Sequence, residues 1–425
     1  MWPLVITFLY LSIILWVIGH AFNLDVSLTK LFVPFFIIVS FINIIKSLYK
    51  RNLTIISNKY LYIIIFLLFT STFSSIINYF RFYKDLDIII YSFLIPFILL
   101  LSQLIIWILP TSKKQINKIL YTLKIFFIIN GIITAAFFIA INIFKIIDLD
   151  MVWDLSIQNT VLMKVAGQTW YRTPGIFEIG GTNGTFLLMF LSISLSKFYY
   201  STKFSLYSKY LLYISIISIL IFFTLTRRTY LCLFVSIFIF ATLKSFKNPT
   251  ISKLLFFVLL LCSMTLSVFI INLKFSGLFS LDSFYDRLQF WYMSLNNIIG
   301  NDIGNLLIGL NILQSALKHS IMSLYSYSIL DNGFIECIMH SGIIFLLLFL
   351  IYICFLFKDN LELLNNFKDN RYKWIPMTNI FLLINMVILM LFSSFLFNLT
   401  ESFIYLFLVS YFTKFSIENI TDEIK

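Results

Sequence analysis

The sequence predicts an all-α polytopic membrane protein of about twelve transmembrane helices, with two long extracytoplasmic segments and one integral membrane domain over residues 1–425. Three observations carry that prediction. Of the 425 residues, 60% are hydrophobic, 19% aromatic and only 12% charged, more apolar surface than a water-soluble core can hide. Apolar stretches approaching the roughly 20 residues that a helix needs to cross hydrocarbon recur along the chain. Lipid-facing strands are excluded because their unpaired edges find no hydrogen bonds there. The basic residues, finally, punctuate the gaps between those stretches. A net charge of +12 would suit nucleic acid if it were gathered on one soluble face, but here it reports membrane orientation, so no nucleic-acid partner is expected.

In chain order the expected spans are 2–18, 30–45, 60–79, 88–109, 119–142, 183–196, 210–226, 229–243, 254–271, 333–357, 375–395 and 399–413. The first lacks a basic leader and a small-residue cleavage signal, so it reads as a retained helix. Dropping 183–196 or 399–413 would invert part of the topology. The loops test the count independently. Every second gap is short and basic, carrying Lys46, Lys50, Arg51 and Lys59; Lys113, Lys114 and Lys118; Lys197, Lys203 and Lys209; Lys244, Lys247 and Lys253; and Lys358, Lys368, Arg371 and Lys373. The positive-inside rule makes these gaps and both termini cytoplasmic. The long segments 143–182 and 272–332 then lie outside, together with a tight turn at Thr226–Thr229. Cys232, Cys262, Cys337 and Cys354 sit in or beside apolar spans without metal-ligand spacing and read as small buried hydrophobes.

Polar groups gathered at a membrane boundary are the candidates for chemistry. In the first long segment, Met151, Val152, Trp153 and Trp170 suggest a chain lying along the membrane surface. It ends in Arg172-Thr-Pro174-Gly175-Ile-Phe177-Glu178, followed by Gly180, Gly181, Asn183 and Gly184. Pro174 and Gly175 favour a turn, and the later glycines admit close backbone approach. Arg172 beside such a turn either presents a rigid fork to phosphate oxygens or snorkels to the interface and pairs with Glu178. Arg227 and Arg228 are adjacent guanidinium groups on the side where basic residues are disfavoured, with no carboxylate near in sequence. Their counter-charge is either an anionic ligand or a distant structural partner. In the second long segment Phe284, Leu288, Trp291 and Leu295 share one helical face, as in a helix lying in the interface, and Arg287 is one position off it. Arg287 either reaches inward or meets a lipid head group. Asp331-Asn332-Gly333 opens a span, where Asp331 is either a helix cap or a base within reach of a hydroxyl. His319 and His340 are weaker candidates, the second fitting a helix-packing role. Asp85/Asp87 and Asp148/Asp150 have a metal-binding spacing but no third ligand nearby, and no Gly-rich nucleotide loop is present, so no metal or other cofactor is expected.

Four of these stretches together resemble the polysaccharide polymerase and O-antigen ligase superfamily of bacterial envelope proteins. Arg172-Thr-Pro-Gly175-Ile-Phe177 is similar to an R-x-x-G-x-F element, and Thr224-Leu-Thr-Arg227-Arg228 to a T-x-S-R element. Arg287-Leu-Gln-Phe-Trp291 with Leu307-Ile-Gly309 resembles an R-x-x-x-W and L-x-G-x-G pair, and Asp331-Asn332, with Gly342 beyond, an H-N or D-N element. The likeness covers about Tyr171 to Leu350. It departs where Arg227 replaces the usual serine, Asn311 a glycine, and Gly180-Gly181-Thr-Asn183 a proline-asparagine pair; aspartate at 331 in place of histidine tilts toward a polymerase.

The resemblance implies a membrane glycosyltransferase of GT-C-like architecture in the bacterial inner membrane, working at its outer face on undecaprenyl-diphosphate-linked repeat units. Arg172, Arg228 and Arg287 would clamp the diphosphate, and Asp331 would orient or deprotonate the acceptor hydroxyl. Glu178, Arg227, Trp291, Asn332, Asn183 and His319 would contact substrate or hold an arginine. Lipid-linked donor and acceptor, membrane lipid, a chain-length regulator and a flippase are the implied partners. A ligase using lipid A core as acceptor, and a lipid-glycan flippase, are the alternative readings.

Overall fold

Long runs of isoleucine, leucine and phenylalanine satisfy their backbone in hydrocarbon only as helices, and helices are what they form here. The computed structural model describes residues 3, 5–12, 28–49, 58–82, 86–144, 163–165, 168–170, 173, 175, 180–247, 291–292, 303–309, 332–367, 372–393, 396 and 399–424. In order these give α1 (Leu28–Tyr49), α2 (Asn58–Phe82), α3 (Leu86–Ile108), α4 (Lys113–Phe138), α5 (Gly180–Tyr200), α6 (Phe204–Phe223), α7 (Arg227–Lys247), α8 (Ile303–Ile308), α9 (Gly333–Asn366), α10 (Trp374–Phe392) and α11 (Leu399–Ile424). A π-helical turn, Ile139–Ile143, extends α4. A small antiparallel hairpin of β1 (Met163–Val165) and β2 (Gln168–Trp170) sets Met163 opposite Trp170 within the first long segment.

Among the described residues the protein is therefore all-α apart from that hairpin, with several long apolar helices of the kind a polytopic membrane protein needs. Among the described residues five are long and apolar enough to cross a membrane: Lys59–Asn78, Lys113–Ile143, Phe204–Phe223, Gly333–Asn366 and Trp374–Phe392. They coincide with the expected spans 60–79, 119–142, 210–226, 333–357 and 375–395. The spans expected at 30–45, 88–109 and 229–243 contain shorter apolar helices, Pro34–Asn43, Phe93–Ile108 and Arg228–Thr242. The span expected at 254–271, and most of the interfacial helix expected at 281–295, lie outside the described residues.

The chain divides into two compact units. The first comprises Met1–Asn43, Ser112–Ser280 and Asp369–Phe381. Within it α5 is buried from Gly181 to Ser196. Its hydroxyls turn back on its own carbonyls, Thr185 donating to Gly181 at 3.0 Å, Ser192 to Leu188 at 2.9 Å and Ser196 to Ser192 at 2.8 Å. Aromatic rings pack it in place, Phe186 against Tyr10 and Phe190 against Phe127.

The second unit comprises Ile44–Thr111, Leu281–Lys368 and Leu382–Lys425. Here α11 is buried from Glu401 to Ser416. Its Ser410 shares Gln103 of α3 and Tyr352 of α9 in one hydrogen-bonded cluster, and Trp107 Nε1 donates to the same Tyr352 hydroxyl at 3.3 Å. One turn further on, Lys414 Nζ donates to the carbonyls of Ile106, Trp107 and Leu109 at 3.2, 2.9 and 2.6 Å, so it caps the C-terminus of α3 from a neighbouring helix. A cation suits that end of the helix dipole, and a buried carbonyl without a donor is expensive. Glu418 completes the joint by accepting from the Thr111 backbone and hydroxyl and lying 3.6 Å from Lys414.

Replacing Lys414 by methionine leaves those carbonyls unserved and is expected to cost roughly 3 kcal/mol, with arginine restoring part of the loss. A lowered melting temperature of the detergent-solubilised protein for Lys414→Met, partly recovered in Lys414→Arg, is the measurement.

Candidate functional site

In the first unit three residues join α6 to α7, and side chains take up the carbonyls at the end of α6. Thr224 Oγ1 donates to Ile221 O at 2.7 Å, Tyr230 Oη to Phe222 O at 2.6 Å and Thr173 Oγ1 to Phe223 O at 2.9 Å. Leu225 bridges the turn at φ 49°, a left-handed conformation that costs a branched-chain residue about 1 kcal/mol or more. The sequence places Arg227 and Arg228 in that turn, but the structure puts both in the first turn of α7, whose leading amides of Thr229 and Tyr230 bond to Thr226 O at 3.2 Å. The Thr226 carbonyl accepts these first helical amides while its hydroxyl donates to Thr224 O at 2.9 Å, so the helix begins at the next residue.

Arg228 then reaches back to α5. A Cβ added to Gly181 would lie 2.5 Å from Arg228 Nη2, and one added to Gly184 would collide with Thr229. The glycines of this stretch therefore admit close approach, as their spacing predicts, and what approaches is the first turn of α7 with its guanidinium. Two helix N-termini and one fixed cation meet at this point. Partial positive charge at each N-terminus adds to the arginine, so the place favours an anion. Basic residues opening α7, with no acidic residue in its first turn, run against the dipole and make sense where an anion is to be held.

Asn183 stands one turn away, fully buried, with its amide spent on protein. It accepts from Asn130 Nδ2 at 2.7 Å and donates to Thr134 Oγ1 at 3.0 Å and Thr173 O at 3.1 Å. The resemblance makes it a substrate contact, yet its bonds make it the tie between α4, α5 and Thr173. Gly175 itself takes φ +65°, and a Cβ there would strike Asn130 Oδ1 and come within 2.8 Å of Asn183 and Thr134. The turn after position 172 is thus pinned on both sides. Arg172 and Glu178 lie outside the described residues, as does the side chain of Arg227.

In the second unit Asn332, and not its neighbour, caps α9: its side chain accepts from Phe334 N at 3.0 Å and Ile335 N at 3.1 Å. Asp331, Arg287 and His319 lie outside the described residues. Trp291 is half-buried, and its indole Nε1 is a buried donor with no acceptor among the described residues. The span expected as one continuous helix from 333 is interrupted at Gly342, at φ 84° and ψ 173°. Glycine permits that conformation and also the crowding around it. A Cβ on Gly342 would run into Leu307 O, and one on Gly309, at φ +81°, would lie 2.5 Å from Gly342 N and 2.7 Å from His340 O. Ser74 Oγ donates to His340 O at 3.0 Å and Asn78 Nδ2 to Gly309 O at 3.0 Å, so α2 serves the carbonyls at both glycines. His340 is buried, with Nδ1 2.6 Å from Ser341 Oγ, which fits the helix-packing role expected for it.

Glu336, one turn before His340 and 2% exposed, is a further candidate that neither the motif spacing nor the resemblance singles out. It is a lone carboxylate in the apolar run from Gly333 to Phe357, and such a residue in a span is a functional candidate by default.

The four stretches that carry the resemblance thus pair off. The first two interlock through Gly181 and Arg228 in one unit, and the last two through Gly309 and Gly342 in the other. Compared with models of protein families and with curated proteins, the chain matches none.

Gly342→Ala forces a side chain into the Leu307 carbonyl at a left-handed φ and is expected to cost several kcal/mol. Size-exclusion profiles in detergent should show aggregation for this variant and a normal peak for Ile344→Ala, a neighbour that is 44% exposed.

Proposed function

We propose that this protein is a polysaccharide polymerase that joins glycan repeat units carried on undecaprenyl diphosphate at the outer face of the bacterial inner membrane. The observation carrying this reading is the guanidinium of Arg228 seated on Gly181 where the first turns of α5 and α7 meet. In the proposed reaction the bond between the donor's anomeric carbon and its diphosphate oxygen breaks, and the electron pair leaves with the diphosphate. The acceptor hydroxyl forms the new bond to that carbon and gives its proton to Asp331. Charge grows on the diphosphate as the bond lengthens, so donors fixed in advance at that place lower the barrier. Arg228 is proposed as one such donor, with Arg172 and Arg287 as the others. Arg172 precedes a turn pinned by Asn183, and Arg287 precedes Trp291, whose indole Nε1 has no acceptor among the described residues.

The reading is tested by incubating the purified protein, reconstituted in lipid, with defined undecaprenyl-diphosphate-linked repeat units and resolving the products by length. Arg228→Ala is expected to lower the rate about a hundredfold at matched amounts of folded, monodisperse protein, and Arg172→Ala, Arg287→Ala and Asp331→Asn to behave alike. Gly181→Ala should fold, because the obstructing atom is the tip of a flexible side chain, yet lose activity by displacing the guanidinium. Undiminished long polymer from the Arg228 variant would remove the assignment. Transfer to lipid A core but not to a second repeat unit would make the protein a ligase.

A further inference from the structure

A second charged feature lies in the first unit, at the start of α4. An open cavity of about 610 Å³ is lined by Pro3, Lys113, Lys114, Asn117, Lys118 and Tyr121. Lys113, Lys114 and Lys118 have no carboxylate partner among the described residues, where the ion pairs involve other lysines. Lys113 leans on the ring of Tyr372 at 5.1 Å, which fixes one wall. Ser112 caps α4 through the Gln115 amide, so the cavity sits on a well-formed helix start.

The face of α4 that leaves this cavity has a definite order. Lys114, Lys118, Tyr121, Ile125, Ile128 and Ile132 follow one another at intervals of four and three residues, all exposed, with the two aliphatic ends of the stripe at 39% for Ile125 and 66% for Ile132. At 100° per residue they lie within roughly 40° of one line along the helix. The opposite face, Ile116, Ile119, Leu123, Phe126 and Asn130, is buried in the unit. Cations, then a tyrosine, then aliphatic residues reproduce the sequence of environments along one phospholipid: phosphate, interface, acyl chain. From Lys118 to Ile128 the helix rises about 15 Å, the hydrocarbon depth of a single leaflet.

We infer that this cavity and stripe hold one anionic phospholipid, its head-group phosphate on Lys113, Lys114 and Lys118 and its chains along Tyr121, Ile125, Ile128 and Ile132. By the positive-inside pattern this is the cytoplasmic leaflet. The inference is independent of glycosyl transfer and of the arginines assigned to it.

The test uses the full chain purified from bilayers of phosphatidylcholine containing a minor fraction of phosphatidylglycerol, with retained lipid counted by native mass spectrometry. The wild-type protein is expected to keep phosphatidylglycerol over phosphatidylcholine. The Lys113→Ser/Lys114→Ser/Lys118→Ser variant should lose at least about tenfold of that preference. Lys203→Ser/Lys209→Ser, two exposed lysines elsewhere, should keep it. The Lys114→Ser/Lys118→Ser variant, which leaves the Tyr372 contact intact, serves if the triple variant does not fold. Bulk-ratio retention by the wild type, equal losses in the control variant, or displacement of the lipid by free glycerol phosphate at comparable concentration would each overturn the inference.

Discussion

A helix that ends or breaks inside so apolar a protein exposes carbonyls and amides that have no water to turn to, and this is the constraint from which the rest of the structure follows. The solutions recur. Lys414 serves the end of α3, Thr224, Tyr230 and Thr173 serve the end of α6, Ser74 and Asn78 serve the two glycine breaks, and Asn332 serves the start of α9. Each of these polar side chains lies beside an interruption of regular helix. None is a surface residue that strayed inward.

The same constraint supports the proposed chemistry. Irregular backbone is tolerated at membrane depth only where protein surrounds it or where it lines a cavity, so the places that break helical continuity are the places available for a site. In the first unit the break is the short turn that aims Arg228 at Gly181. In the second it is the crossing of Gly309 and Gly342, with Glu336 and His340 on the turn before it.

Hydropathy made the lipid-facing helices legible, because their exposed surface must be apolar. It under-read α5 and α11, expected only as 183–196 and 399–413, whose structured lengths are Gly180–Tyr200 and Leu399–Ile424. Both are buried along most of their length, and a helix wrapped in protein can carry Ser192, Ser196, Thr413 or Lys414 provided each finds a partner. Glycine spacing at 175, 181 and 184 announced close contacts correctly but not with what. The capping role fell to Asn332 because its amide oxygen reaches two amides at once, a choice between adjacent residues that no local pattern decides. Asn183 looked available from its neighbours and is in fact occupied by partners more than forty residues away in sequence, at Asn130 and Thr134.

The interruption at Gly342 also divides α9 between two solvents. Before it nearly every position is covered, including Glu336, Met339, His340 and Ser341. Beyond it burial falls back to a single stripe through Phe345, Phe349, Tyr352, Leu356, Asn360 and Leu363, while Ile344, Leu347 and Ile351 face outward. A helical wheel drawn through all 34 residues therefore mixes two unrelated patterns. Substitution tolerance along this one helix should change character at a single glycine, strict on all sides above it and permissive on one flank below.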